Sequence, residues 1–411
     1  MRLADLTTLG IGGEAEHVLE PVDADALVAA VREVWADGDN LLILGGGSNV
    51  VIGDDDFDGT VVRVVTRGIE RVAAPAGSSA DAVHLLVQAG EPWDDLVAHT
   101  VANGWAGIEA LSGIPGSSGA APIQNIGAYG QELKDSLVSI DFLDFLSGER
   151  TRIPAVELEL DYRTSVLKRE RAGLVVAIEL RLTDAGSGAG AGAVNAADGG
   201  VDATAASSAA STNTTAGPLS EPIAYAQLAS ALGVSLGDRV PLATVRETVR
   251  SLRASKGMLW DVADPDSISA GSFFTNPIVS ENFARGLPSD APRWPVEPAA
   301  ADTVVPLEVL PEGADPTAAS VTPNRAGSPE SPGYRVKLSA AWLIERAGIG
   351  RGFALPGSHA AVSSKHTLAL VNRGGATAEE ISQLARYIQT RVLSEFGVRL
   401  HPEPVLVGLS L

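Results

Sequence analysis

Residues 41–53, LLILGGGSNVVIG, set two short apolar runs on either side of Gly45, Gly46, Gly47, Ser48 and Asn49. An apolar run of this length bounded by glycines reads as a buried strand, and the β-branched run after it reads as a second strand rather than a helix. That order excludes the two best-known phosphate loops at this position. A Rossmann turn needs G-x-G-x-x-G opening a helix, and a P-loop needs G-K-[ST]. Glycines, lacking a Cβ, still let backbone N–H groups close on an anion without a helix behind them. Taken alone, the triple glycine suits a tight turn equally well.

A second stretch, residues 104–130, reads GWAGIEALSGIPGSSGAAPIQNIGAYG and is too long for an ordinary turn. Its small residues allow a flat, polar-edged ring to lie against the main chain. Two glycine loops in one block, neither of Rossmann type, point to a large dinucleotide held extended between subdomains, with FAD as the candidate.

Composition narrows the rest. Hydrophobic residues make up 45% of the 411 and aromatic residues only 5%, so Val, Leu, Ile and Ala must fill the core of what reads as a mixed α/β (α+β) protein. Cysteine is absent, which excludes disulfides, thiolate metal sites and thiol catalysis and fits a reducing compartment. The N-terminal residues lack the roughly 7–15-residue apolar stretch of a signal peptide, and no run approaches the ~20 apolar residues that span a bilayer. The expectation is a cytoplasmic protein with no metal and no membrane insertion. A net charge of −21, from 51 acids against 30 Lys and Arg, opposes binding to nucleic acid. An anionic nucleotide ligand would then need basic residues gathered locally.

Residues 185–218 contain no aromatic, no Leu or Ile and no basic residue, and so cannot bury enough apolar surface to offset their ordering entropy. The expected organisation is an FAD-binding domain at 1–183, with subdomains at about 1–65 and 66–183. A flexible linker at 184–220 and a substrate domain at 221–411 follow, the latter carrying a Pro/Ala-rich insertion at 296–333. Within these blocks, Leu27, Val31, Val34 and Trp35 share one face of a helix over 25–36, ahead of the 41–44 strand. Thr377 and Glu380 have capping-box spacing, and Ile381, Leu384, Ile388, Val392 and Phe396 recur at helical spacing until Gly397. A strand over 398–408 closes the chain.

In this order the motifs TTLGIGG (7–13), ILGGGSNV (43–50), SGIPGSSGAAPIQNIGAYG (112–130), DYRTS (161–165), AGSFFTNP (270–277), KLSAAWLIERAG (337–348) and HPEPVLVG (401–408) closely resemble the UDP-N-acetylenolpyruvoylglucosamine reductases. The resemblance implies an FAD-binding domain of the vanillyl-alcohol-oxidase/PCMH type, noncovalent FAD, and a C-terminal α+β substrate-binding domain. Tyr225, in EPIAYAQL, matches the subtype whose tyrosine loop closes over the substrate. The implied activity is a step of peptidoglycan precursor biosynthesis, and so of cell wall biogenesis, cell shape and cell division. NADPH reduces the flavin, which passes hydride to the enolpyruvyl group of a UDP-linked amino sugar. A single chain acting as a monomer is expected.

By motif position, Ser272 would protonate C2 of the substrate while Arg163 and Glu403 stabilise the enolate. Glu403 would serve best if burial raised its pKa, so that it donates a hydrogen bond to the anion. Alone, Ser272 reads as a turn or cap serine, Arg163 as a surface ion-pair partner and Glu403 as an exposed strand-edge acid. Flavin contacts carried over are Gly45, Gly46, Gly47, Ser48 and Asn49 from the first loop. The second supplies Ser112, Gly113, Ile114, Gly116, Ser117, Gly119, Asn125, Gly127 and Ala128. Arg253, Lys256 and Lys337 would pair with diphosphate or carboxylate, with Tyr225, Asn276 and Trp294 around the nucleotide. Relatives commonly use tyrosine at the Trp294 position, and His366 falls at a polar ligand contact. Two other classes share these features: an FAD oxidase, for which His17 would be the N-terminal attachment residue, and a non-catalytic sugar-nucleotide-binding protein.

Overall fold

A computed structural model describes residues 1–186, 217–296 and 335–411, so most of the expected linker (184–220) and insertion (296–333) lies outside the described residues. The described chain forms two compact units that do not follow chain order. The larger comprises Met1–Phe273, Gly350–Arg386 and Pro402–Leu411, and the smaller Phe274–Ile349 and Tyr387–His401.

In the larger unit, strands Ala15–Leu19, Phe57–Arg63 and Leu41–Leu44 form a parallel sheet in that spatial order. The helix expected at 25–36 is Ala24–Asp37. Asp23 caps its first turn by accepting from the N–H of Ala26, and Gly38 ends it in the left-handed region that glycine adopts without strain. Its apolar face, Leu27, Val28 and Val31, packs on Val62, Val64, Leu174 and Val176. After the triple glycine the chain runs on into strand Val50–Ile52, not into a helix.

A second sheet is antiparallel, in the order Arg150–Pro154, Leu137–Asp144, Gly173–Asp184, Ala82–Gln88, Ile69–Val72. Its main core gathers Val83, Leu85, Val87, Trp93, Leu96, Ile140, Phe142, Ile178 and Leu180. The long glycine stretch packs on this core through Ile108, Leu111, Ala121 and Ile126 and is itself partly helical, with 3-10 turns at Glu109–Leu111 and Ser118–Ile123. A third sheet pairs Ser269–Ser272, Ala369–Asn372 and Ala360–Val362.

The closing strand is shorter than its hydropathy suggests. Of the 398–408 run only Val405–Val407 forms a strand, in parallel with Val50–Ile52. Pro402 and Pro404 lack the N–H a continuous ladder needs, so Glu403 lies between two prolines ahead of that strand.

The smaller unit holds an antiparallel sheet, Ile278–Ser280, Arg335–Leu338 and Arg293–Val296, with helices Glu281–Arg285 and Ala340–Arg346. The long helix Ala378–Phe396 begins as its sequence indicates. The Thr377 hydroxyl accepts from the N–H of Glu380 at 3.1 Å, and a Glu380 carboxylate oxygen accepts from the N–H of Thr377 at 3.0 Å. Among the described residues, no helix is long and apolar enough to cross a membrane.

Candidate active site

A cavity of about 390 Å³ in the larger unit is lined by both glycine loops, by Leu174 and Val175 of the antiparallel sheet, and by Arg163, Lys168, Arg253, Ser272 and Glu403. The loops meet along a seam that only glycine allows. A Cβ on Gly45 would stand 2.5 Å from Ser117 Oγ, and one on Gly46 would stand 2.7 Å from Gly116 Cα. One on Gly116 would lie 2.8 Å from Ser48 Oγ. These distances are well inside van der Waals contact, so glycine is what lets the two loops close on one another, backbone to backbone at Gly46 and Gly116. Glycine loops that line a cavity leave main-chain groups open to a planar ring with polar edges, such as that of FAD. FAD is therefore the cofactor that the cradle suits. Ser48 Oγ donates to the carbonyl of Pro115 at 3.0 Å and ties the loops together.

Not every expected flavin contact lines this cavity. Gly45, Gly46, Gly47, Ser48, Asn49, Ile114, Gly116, Ser117, Gly119 and Gly127 do, whereas Ser112, Gly113, Asn125 and Ala128 do not. The last four have other positions. Ser112 is fully buried, donates to the Glu109 carbonyl at 2.7 Å and accepts from Arg246 at 3.1 Å. Gly113 donates its N–H to Asp94 at 2.6 Å, and its carbonyl accepts from Arg253 Nε at 3.0 Å. Asn125 spends its amide inside the protein, donating to Glu132 at 2.9 Å and the Asp161 carbonyl at 3.2 Å and accepting from the N–H of Lys134 at 3.0 Å. With Ala128 it lines a neighbouring cavity of about 350 Å³ that shares Gly127 and Arg163 with the first.

The three expected catalytic residues come together at the first cavity although they are remote in sequence. Arg163 occupies the left-handed region with φ 55°, a conformation that costs a non-glycine residue of order 1 kcal/mol or more and is held here by its surroundings. Its Nη2 donates to the Gly127 carbonyl at 3.0 Å, and its Nε lies 3.5 Å from Glu403 Oε1. Glu403 is buried, contrary to the exposed strand-edge position its sequence setting suggests. Burial pushes its carboxyl above the ordinary glutamate value, against the opposing pull of Arg163 and then Lys168. Ser272 ends strand Ser269–Ser272, where the register slips and Gly271 takes φ 77°; this bulge turns the strand end at the cavity wall.

Arg253, expected to meet an anion, lines the cavity while donating to the carbonyls of Gly113 and Met258, the latter at 2.7 Å. Burial lowers its pKa to about 10, with Tyr129 and Asp94 pulling the other way. Asp94 is the hub behind it, accepting from Arg246 at 2.6 Å, from Arg250 and from the Gly113 N–H. Tyr225 and Lys256 gather around Tyr129. The two tyrosine rings pack edge to face at 5.9 Å, and Lys256 Nζ stands 5.5 Å over the Tyr129 ring while donating to Gln227. Tyr129 itself lines the second cavity. His366 also lies in the larger unit but is not among the residues lining either cavity.

Asn276, Trp294 and Lys337 belong to the smaller unit. Trp294 and Lys337 are direct partners across its sheet, so their side chains leave the same face, with Trp294 exposed. Asn276 Oδ1 accepts from the N–H of Ala340 at the start of helix Ala340–Arg346.

Sequence reasoning passed over Lys168, Tyr129, Gln124 and Asp94. The first three lie inside or within a few residues of the motifs quoted above, where nearness to Arg163 or Gly127 was the only signal. Asp94 had none, because its role depends on a helix more than 150 positions away.

Comparison with known proteins bears on the same residues. Residues 15–153 match the model of an FAD binding domain, and residues 264–407 that of the UDP-N-acetylenolpyruvoylglucosamine reductase C-terminal domain. The UDP-N-acetylenolpyruvoylglucosamine reductase of Leifsonia xyli subsp. xyli is 58% identical over 409 residues, covering 100% of this chain and 98% of the relative. That of Salinispora arenicola is 42% identical, covering 100% and 95%. The crystal structure of the Thermus caldophilus reductase shares the fold, with a TM-score of 0.55 at 21% identity and coverage of 99% and 97%. With full-length identity well above what chance allows, and with both glycine loops and the three converging polar residues in the family's motifs, the chain belongs to the UDP-N-acetylenolpyruvoylglucosamine reductase family.

Proposed function

We propose that the chain reduces the enolpyruvyl ether of UDP-N-acetyl-3-O-(1-carboxyvinyl)-glucosamine to UDP-N-acetylmuramate, a step in peptidoglycan precursor synthesis. One observation carries the reading: Arg163, Glu403 and Ser272, drawn from three remote segments, line one cavity whose floor is a glycine cradle. The glycine loops with Ser48 and Asn49 would hold FAD, which would supply hydride transfer from NADPH to the substrate's methylene carbon.

Reduction of a carbon–carbon double bond conjugated to a carboxylate builds negative charge on that carboxylate and then needs a proton at C2. Arg163 offers a fixed guanidinium for the charge. Glu403, raised by burial, is suited to donate a hydrogen bond to it. The Ser272 hydroxyl gives the proton, which is reasonable because an enolate carbon is a strong base. In the larger unit, Arg253 and Lys256 would pair with diphosphate or carboxylate, Tyr225 would lie at the nucleotide and His366 would be a polar ligand contact. In the smaller unit, Lys337 would pair with diphosphate or carboxylate, and Asn276 and Trp294 would lie around the nucleotide.

Action as a monomer is part of this reading. A nucleotide-linked sugar and NADPH are substrates of the cytoplasm, which supports that location. An FAD oxidase with covalent flavin is the second reading. His17, its expected attachment residue, is exposed on strand Ala15–Leu19 and is not among the residues lining the cavity. Anaerobic titration separates the readings. In the proposed reductase, NADPH bleaches the flavin and only the enolpyruvyl substrate restores its colour promptly. Rapid recovery on admitting air alone would support an oxidase, and no bleaching would support a binding protein.

A further inference from the structure

The charged end of the cavity holds one cation that the mechanism above leaves without a task. Lys168 lies on the short helix Val166–Arg169. Its N-cap, Ser165, donates its hydroxyl to the Ile123 carbonyl at 2.6 Å and so fastens this turn to the 3-10 segment under the cavity. Lys168 Nζ stands 3.5 Å from the carbonyl oxygen of Arg163 and 3.5 Å from that of Glu403. The Glu403 backbone is held from elsewhere as well. Its N–H donates to the Phe273 carbonyl at 2.9 Å, and its carbonyl lies 3.5 Å from Asn49 Nδ2, which also donates to Gln124 at 3.1 Å. Among the described residues, Lys168 is thus the ammonium that reaches both the Arg163 turn and the Glu403 segment.

We propose that Lys168 is a positioning residue whose ammonium fixes the Glu403 segment against the Arg163 turn and so holds the Glu403 side chain beside the Arg163 guanidinium. The catalytic consequence rests on the reduction reading; the titration does not. The charged groups facing Glu403 are Arg163 and Lys168, with Arg253 of helix Leu242–Ser255 behind Arg163, while Ser272, Asn49 and Gln124 carry no charge. Burial raises the carboxyl's proton affinity, and the two cations of the 163–168 segment oppose it. The effect is mutual: desolvation lowers the Lys168 ammonium, Glu403 raises it and Arg163 lowers it again. The groups therefore titrate as a set. Without the Lys168 charge, Arg163 alone would oppose burial, and Glu403 would keep its proton to higher pH. Lys168 is exposed at the cavity wall, so solvent screening limits the size of that shift.

The test is an NMR titration of the FAD-loaded full chain carrying glutamate labelled at its side-chain carboxyl carbon, with the Glu403 resonance identified by its loss in Glu403→Gln. Lys168→Met, with Lys168→Gln as a second neutral replacement, is expected to raise the Glu403 midpoint, and Lys168→Arg to leave it near the parent value. The alkaline limb of substrate-driven flavin reoxidation should move with it. A Glu403 midpoint unchanged in both neutral variants, or shifted as far by Lys168→Arg, would overturn the proposal. Should the parent chain fail to be reoxidised by the enolpyruvyl substrate, the functional reading falls while the titration still decides the role of Lys168.

Discussion

The seam between the two glycine loops permits a sharp test through Gly46→Ala. Gly46 is not in the left-handed region, so alanine is allowed there by the backbone and the substitution isolates the steric effect. The added Cβ would lie 2.7 Å from Gly116 Cα, 3.0 Å from Gly116 C and 3.3 Å from Ser117 N. Ordinary carbon contacts are about 3.5–4.0 Å, so the loops must part by about 1 Å, and both contacting groups are backbone with no rotamer to yield. Overpacking of this kind costs about 1–3 kcal/mol. If the cost falls on the closed, flavin-holding arrangement, FAD affinity drops roughly 5-fold to 150-fold. Gly38→Ala is the control. Nothing lies within 4 Å of its Cβ, and at φ 71° it should lose only about 1 kcal/mol of stability with FAD affinity unchanged. Titrating apo-protein with FAD by fluorescence reads both. Gly46→Ala binding FAD within about twofold of the parent would refute the cradle.

Other expectations follow from the same geometry. Asp94→Asn removes the charge on which Arg246, Arg250 and the Gly113 N–H converge. A loss of about 2–3 kcal/mol in denaturant unfolding is expected, together with weaker FAD binding because Gly113 is freed. Burial alone would raise the carboxyls of Asp94 and Asp266, but hydrogen bonds from Arg246 and Gly113 to the first, and from Ser364 and Ser363 to the second, hold both below the ordinary value. Their folded values lie below their unfolded ones, so the stability they contribute is present above about pH 4 and is lost as pH falls through the folded values. Thermal unfolding followed across that window should show this decline, and Asp94→Asn should reduce it. Arg163→Lys keeps the charge but loses the planar fork that reaches Gly127 and Glu403 together, so substrate-driven flavin reoxidation should slow by about a hundredfold in stopped flow.

Local signals made much of the fold legible. Helix Ala24–Asp37, the Thr377–Glu380 capping box and the strand after the triple glycine are set by residues within a few positions of one another, which is the range over which periodicity and capping act. The site was legible only as an ordered set of motifs. Nothing near Glu403 signals its burial, because burial depends on Asn49, Phe273 and the 163–168 turn arriving from elsewhere. The left-handed backbone of Arg163 is likewise imposed by its surroundings, since arginine has no local preference for it. The compact units interleave segments from both halves of the chain, an arrangement that no composition boundary marks. Ser112 and Asn125 lie in the long glycine stretch with their side chains bonded inside the protein, and only the three-dimensional partners of a loop decide which way its side chains point.

The convergence of Ser272 with Arg163 and Glu403 is the central claim, and the two half-reactions of Ser272→Ala test it most directly. Stopped-flow absorbance under anaerobic conditions follows flavin bleaching by NADPH and then its recovery on adding the enolpyruvyl substrate. The variant should bleach at nearly the parent rate and recover about a hundredfold or more slowly, because only the second half-reaction needs a proton at C2. Equal slowing of both halves, or recovery at the parent rate, would contradict the account.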